Sequence, residues 1–486
     1  MGLYSQGRLG RPTPHFEKGN NKGVIQINRQ ESISLGLAEF IAATNYEDLP
    51  ETVVAKAKER IIDNLGSCLA GSKKWDFSDQ LLHCLKAMNP GESAVFGRNE
   101  KLSCPFAALA NTAFCHSLEL DDGHSNAGVH AGAVVIPTAL AVGESLKVGG
   151  RELISSIVLG YEVIYRIARA VNPQQIRKGF HPSATCGVFG AAAVTAKLLG
   201  LSKSGIADAL GLAGIQSSGL MEATQSGLSS KCVMVGHSSC TGILSAWLAK
   251  EGFQGPDRIF EGKFGFFNTM SERVEKEEVF RSIGERFEIG DTYVKLYPTC
   301  RHIHPAIESI FFLQENPGFR VDDISRIVVG SHEVAVNLTS NIREPKNSSE
   351  AKFSMSYIVS VAIRDGSVGI RHLESESLSD PVLRTISELV EVKVDPDINR
   401  EFPSKRGANV QLIMRDGRVL ERTTYVLKGS PELPVGRQEI IRKFQECTSG
   451  TLDPDAALSL VDVIERIEET TDICSLTRSI NKTTNS

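Results

Sequence analysis

The segment GVFGAAAVTAKLLG at residues 187–200 limits the fold more than any other stretch. Its apolar residues recur at helical spacing, and the residues between them are mostly Ala and Gly. Such a helix is stable only where neighbouring helices approach closely enough to fill its small faces. The same texture runs through the first 290 residues. Pro50-Glu51 opens a helix in which Val54, Ala57, Ile61, Ile62, Leu65 and Leu69 keep the helical period. Further helices are predicted at Asp76–Met88, Pro105–Ser117, Val135–Lys147, Glu152–Ala170, Gly187–Leu199, Ser202–Ala213 and Thr241–Glu251. No β-branched strands alternate with them, which excludes a doubly wound parallel sheet.

The texture changes after about residue 290. Ile324–Val336 is β-branched and reads as a strand, and residues 409–426 read as two alternating strands around Asp416-Gly417, a strong hairpin signal. One helix, Phe353–Arg364, is predicted between them. Helices return at Gln438–Cys447 and Ala456–Glu469. The expected fold is mainly α: a large all-α domain over 33–290, completed by 436–480, with a smaller inserted α+β lid domain over 291–435. Residues 1–32 and 481–486 read as disordered tails. A chain of 486 residues is too long for one ordinary core, in keeping with two domains.

A net charge of −5 and a pI near 6.2 weigh against nucleic acid or an anionic membrane as partner, although net charge says nothing about a local basic pocket. No apolar run approaches a membrane span by inspection. The ten cysteines form no C-x-x-C pair and sit mostly among small apolar residues, as in a reducing, cytoplasmic setting. The basic N-terminal segment leaves mitochondrial import as the alternative. Dinucleotide and phosphate-loop motifs are missing, as are zinc spacing and a G-x-S-x-G elbow. Cys300, His302 and His304 suggest a metal only if the backbone there is extended.

Chemistry concentrates in CHSLELDDGHSNAGVHA at 115–131, where His116, His124 and His130 alternate with Glu119, Asp121 and Asp122. Imidazoles titrate near neutrality, and nearby carboxylates orient them. A polar helix end with satisfied histidines is the plainer reading of the same residues. Three other stretches stand out. GFHPSATCG (179–187) places His181 before Ser183 and Thr185 at a helix start, where hydroxyls and free N–H groups suit an anion. ATQSGLSSKCVMVGHSSCTG (223–242) offers Gln225, Lys231 and His237. VKLYPTCRHIHP (294–305) offers Lys295, Tyr297, Arg301, His302 and His304. Cations converging from these stretches would imply a di- or tricarboxylate, but spacing alone does not show convergence.

On KAKERIIDNLGSCLAGS (56–72), AFCHSLELDDGHSNAGVHAGAVVIPTALAVGE (113–144), GYEVIYRIARAV (160–171), GFHPSATCGVFGAAAVTAKLLGL (179–201), VKLYP (294–298), EAKFSMSY (350–357) and KGSPELP (428–434), the chain resembles the MmgE/PrpD superfamily. That superfamily includes 2-methylcitrate dehydratase, cis-aconitate decarboxylase and iminodisuccinate epimerase. The resemblance implies a helical domain with an inserted lid, a homodimer, and an interdomain active site without metal or organic cofactor. Matched by motif, His130 corresponds to the catalytic histidine, Glu119 and Asp122 to acidic positions before it, and His181 to a second active-site histidine. Lys231 and Lys295 correspond to pocket lysines. Gln225, Arg301 and His124 join them as expected substrate-binding residues. The implied activity is a cofactor-independent lyase on a small tricarboxylate, with epimerisation or isomerisation of a small dicarboxylate as the alternative. Residue 119 is Glu where relatives often have Asp, and Met234 stands where many have His.

Overall fold

The computed structural model describes residues 32–225 and 229–482. Its first part is a helical body built on α1 (Glu51–Lys74), α2 (Cys104–Ser117), α3 (Gly132–Leu146), α4 (Gly150–Val171), α5 (Gly187–Leu198) and α6 (Ser230–Lys250). Small residues set the helix spacing, as the sequence suggests. A Cβ on Gly71 of α1 would fall 2.0 Å from the Phe114 carbonyl oxygen of α2, so those two helices can meet only with glycine there. Polar residues that a helix end would leave unsatisfied are capped: Ser32 accepts the Leu35 N–H, and Ser202 accepts the Gly205 N–H.

The second part carries a four-stranded sheet in the order β2-β1-β3-β4, formed by β1 (Ile324–Ser331), β2 (Val390–Val394), β3 (Ala408–Met414) and β4 (Val419–Thr424). β1 runs parallel to β2 and antiparallel to β3, and β3 and β4 form the hairpin around Asp416-Gly417. Ala408, Val410, Leu412 and Met414 alternate inward along β3, toward helix Met355–Asp365 and its neighbours. Past the sheet the chain returns to helix at α7 (Arg437–Thr448), and Ile440, Ile441 and Phe444 of α7, like Leu460, Val461 and Ile464 beyond it, join the core of the helical body.

The two hydrophobic cores meet along a short stretch after α2, among other places. Leu118 and Leu120 belong to the second core, whereas Ala127, Val129 and Ala131 belong to the first. Residues 118–131 therefore cross from one core to the other, and the polar side chains among them are held between the two.

Several sequence expectations change here. α6 begins at Ser230 instead of Thr241, because serines on it satisfy their hydroxyls within the helix: Ser238 donates to the Val235 carbonyl at 2.7 Å and Ser245 to that of Thr241 at 2.8 Å. The strand predicted over 324–336 stops at Ser331. His332 then caps helix Glu333–Thr339 by accepting the Ala335 N–H at 3.3 Å, and that local cap overrides the β-branched pattern. The last helix runs to Lys482, two residues into the expected C-terminal tail; residues 483–486 and most of the N-terminal tail lie outside the described residues. α6 is also long and apolar enough to cross a membrane by length and composition, but its apolar window is 61% buried within the body.

Candidate active site

The site begins where α2 ends. Glu119 follows the helix at φ +55°, a left-handed conformation that costs a residue with a side chain about 1 kcal/mol or more. Its carboxylate holds the turn in place: Oε1 accepts from Lys231 Nζ and Oε2 from Lys295 Nζ, the latter at 2.6 Å. All three side chains are buried. Burial alone would favour the neutral acid, but Lys231 and then Lys295 overcome it and hold Glu119 well below the usual carboxylate range. Burial likewise works against both ammonium groups, and Glu119 outweighs it, so both lysine pKa values move up. The three groups together carry one net positive charge.

Two residues on, Asp121 is buried completely and bridges two imidazoles. Its Oδ2 lies 2.6 Å from His116 Nδ1 and 3.3 Å from His130 Nδ1. His130 Nδ1 also donates to the Asp122 carbonyl at 2.8 Å. A carbonyl only accepts, so Nδ1 carries the proton and Nε2 is left as the position of His130 that exchanges one. The His130 backbone N–H is fixed by Ser183 Oγ at 3.1 Å. His116 packs 5.3 Å from His130 and 6.1 Å from His181, centre to centre. Burial, helped by Lys231, lowers the His116 pKa to about 4, and burial holds His181 well below its ordinary value. Both are neutral at physiological pH. His116 Nε2 and His181 Nδ1 are buried with no hydrogen-bond partner among the described residues.

The adjacent carboxylates thus divide their work differently from the sequence expectation. It is Asp121, and not Asp122, whose carboxylate faces the imidazoles. The Asp122 side chain faces the helical body, where it accepts from the Gly132 N–H at 3.0 Å and the Tyr161 hydroxyl at 2.8 Å. Burial raises its pKa to about 6, with Arg60 opposing and Asp63 adding to the rise. Since the folded value exceeds the ordinary 3.8, the folded state holds this proton between about pH 4 and 6, and the stability it gives is lost as pH climbs through that window. Asn mimics the protonated acid. The melting temperature of Asp122→Asn relative to wild type should therefore rise as pH increases from 4 to 7, by an equivalent on the order of 3 kcal/mol. A difference that stays flat across that range would remove Asp122 from the titration.

Gly123 comes next because Tyr293 lies against it. A Cβ at 123 would sit 2.4 Å from the Tyr293 hydroxyl, and the two backbones pair in both directions. The Tyr293 ring meets His130 edge-on at 6.4 Å, and Arg301 Cζ lies 3.9 Å from the centre of the same ring.

Of the residues expected at the site, the structure brings together His130, His181, Glu119, Lys231 and Lys295, with Arg301 one ring away. His124 is used elsewhere. Its Nδ1 accepts the Ala127 N–H at 3.2 Å, its Nε2 lies 3.4 Å from Glu288, and its ring packs on Tyr165, so it ties the loop to the helical body. Gln225 ends helix Glu222–Gln225, and its side chain lies outside the described residues. The hydroxyls of Ser183 and Thr185 are taken by the His130 N–H and the His181 carbonyl. Sequence reasoning gave no role to Asp121, His116 or Lys352. Lys352 is buried and donates through Nζ to the Ser117 carbonyl at the end of α2.

The His116–Asp121–His130 group has ligand atoms of the type a metal uses, within 4.8 Å of one another. A cation there would have to displace the Nδ1 protons already held by Asp121 and the Asp122 carbonyl, with two lysines close by. His124, Glu288 and Asp291 form a second such group, but Arg169 already bonds Glu288 at 2.7 Å.

Residues 36–278 match the MmgE/PrpD N-terminal domain and residues 297–469 the MmgE/PrpD C-terminal domain. The chain belongs to the MmgE/PrpD family. Among similar MmgE/PrpD proteins, a cis-aconitate decarboxylase from Aspergillus terreus is 25% identical over 93% of this chain and 97% of its own. The Mus musculus cis-aconitate decarboxylase is 25% identical over 92% and 93%. A 2-methylcitrate dehydratase from Cupriavidus necator is 24% identical over 52% of this chain and 54% of its own. This MmgE/PrpD chain is an enzyme of their general class, a lyase.

Proposed function

We propose that the protein is a cofactor-independent lyase, working as a homodimer on a small tricarboxylate, with decarboxylation of cis-aconitate as its reaction and dehydration of 2-methylcitrate as the second candidate. The observation that carries this reading is the convergence of the partly buried His130, fixed in one tautomer by Asp121 and the Asp122 carbonyl, with the buried Lys231–Glu119–Lys295 cluster. In decarboxylation, the bond to one carboxylate breaks and CO2 leaves. The electron pair passes into the allylic system and is spread onto a remaining carboxylate, where the lysine cluster stabilises the developing charge. The imidazolium Nε2–H of His130 then protonates carbon, and solvent restores the proton. One positioned donor suffices. Dehydration needs a base and an acid together, and with His130 as one of them a second positioned group such as the neutral His181 would have to serve as the other. The relatives that match nearly full length are named as decarboxylases, which supports the same order.

The test is proton NMR of the purified protein in D2O without added metal, incubated separately with cis-aconitate, 2-methylcitrate and iminodisuccinate. Itaconate carrying one deuterium at the protonated methylene is the expected product. Formation of 2-methylaconitate would move the assignment to dehydration, and deuterium wash-in without loss of CO2 or water would move it to epimerisation. Three unchanged spectra would overturn the reading.

A further inference from the structure

A second cationic centre stands beside the site, and no carboxylate among the described residues pairs with it directly. Arg301 is 8% exposed and uses one N–H on the Val294 carbonyl at 3.3 Å. Arg406 precedes β3 in the second part of the chain and donates through Nη2 to the Ser125 carbonyl at 2.8 Å, within the loop that carries His130. Neither guanidinium forms an ion pair among the described residues. Burial lowers the pKa of both, and Arg406 further opposes Arg301. The groups that favour charge on Arg406 are the neutral Tyr293 and Cys300. Glu308 and, more weakly, Glu432 act on Arg301 from a distance, and Glu308 already accepts the Lys428 N–H at 3.0 and 3.2 Å. A buried and a half-buried cation acting on one another are costly unless an anion joins them. Both act on Tyr293, whose ring also meets His130.

We infer that Arg406, with Arg301, binds a second carboxylate of the substrate, distinct from the one facing Lys231 and Lys295. This rests on the carboxylate reading of the site and extends it. A planar guanidinium suits the role because it grips a carboxylate through two parallel N–H groups. The arrangement favours an anion with carboxylates at both ends over one with a single charged end. It also makes the second part of the chain a contributor to recognition, since Arg406 reaches the His130 loop only when the two parts are together.

The experiment is calorimetric titration of the full-length protein with tricarballylate, an unreactive tricarboxylate, for wild type, Arg406→Gln, Arg406→Lys and Arg301→Gln. Gln retains a donor for the Ser125 carbonyl but no charge, whereas Lys retains charge. Affinity should fall about tenfold or more in both Gln variants, as expected for loss of a charged hydrogen-bonding partner, and Arg406→Lys, which keeps the charge but not the paired N–H groups, should recover part of it. Wild-type affinity in Arg406→Gln would overturn the inference, as would equal losses in the Gln and Lys variants. Unfolding temperatures without ligand identify a variant that is merely misfolded, in which case Arg301→Gln decides. If wild type itself fails to bind tricarballylate, the carboxylate reading falls and this inference with it; if only the Arg variants bind normally, the broader reading stands.

Discussion

Replacing His130 by Asn should leave a folded protein whose kcat is lower by about 10²–10⁴-fold, the range for loss of a positioned acid or base. Four contacts explain why the effect is expected on kcat more than KM. Asp121 and the Asp122 carbonyl hold Nδ1–H, Ser183 holds the backbone, and Tyr293 packs against the ring, so Nε2 is fixed in place before substrate arrives. Asn keeps a donor near Nδ1 but has nothing at Nε2 that exchanges a proton. Single-turnover and steady-state rates on the substrate found by NMR, with circular dichroism to confirm folding, check this. Retention of a tenth or more of the wild-type kcat would remove His130 from the proton transfer. Asp121→Asn gives a finer version of the test, since it perturbs the tautomer of two imidazoles while keeping their packing.

The second large effect is on stability. Lys295 is wholly buried and shares Glu119 with Lys231. Lys295→Met removes one partner from a buried carboxylate, which typically costs about 3–5 kcal/mol. The double variant Lys295→Met/Glu119→Gln no longer buries an under-compensated anion and should regain part of the loss, at the expense of leaving Lys231 with a weaker partner. Chemical denaturation of the single and double variants measures both. A single variant within 1 kcal/mol of wild type would show that the ion cluster contributes little to folding. Neither variant should bind carboxylates well, since both lose a cation at the site.

The helical body was legible because its signal is local. Val54 through Leu69 keep the 3.6-residue period, and α5 begins and ends within one residue of its predicted span. The hairpin around Asp416-Gly417 was equally plain. Parallel strand β2 was not: Val390, Val392 and Val394 do alternate with Glu391 and Lys393 at strand period, but the run is only five residues and its partner β1 is some 60 residues earlier. At the site, the sequence placed His130, Glu119 and the lysines, but not which of two adjacent aspartates faces the imidazoles. That choice follows from the left-handed turn at Glu119, which depends on lysines 112 and 176 residues away. Arg406 was invisible for the same reason: its partner carbonyl lies 281 residues earlier.

The loop that carries the chemistry is fixed by cations that come late in the chain. Carbonyls of Ser117, Ser125 and Leu120 are bound by Lys352, Arg406 and Lys443, at separations of 235, 281 and 323 residues. During synthesis, a ribosome must therefore add 235 to 323 residues beyond these carbonyls before the three cations are available, although Tyr161, Ser183, Lys231 and Lys295 reach the same stretch earlier. The nascent helical body keeps its most polar stretch without these three late ties throughout that interval, and chains released before Lys443 should accumulate as inactive, protease-sensitive intermediates.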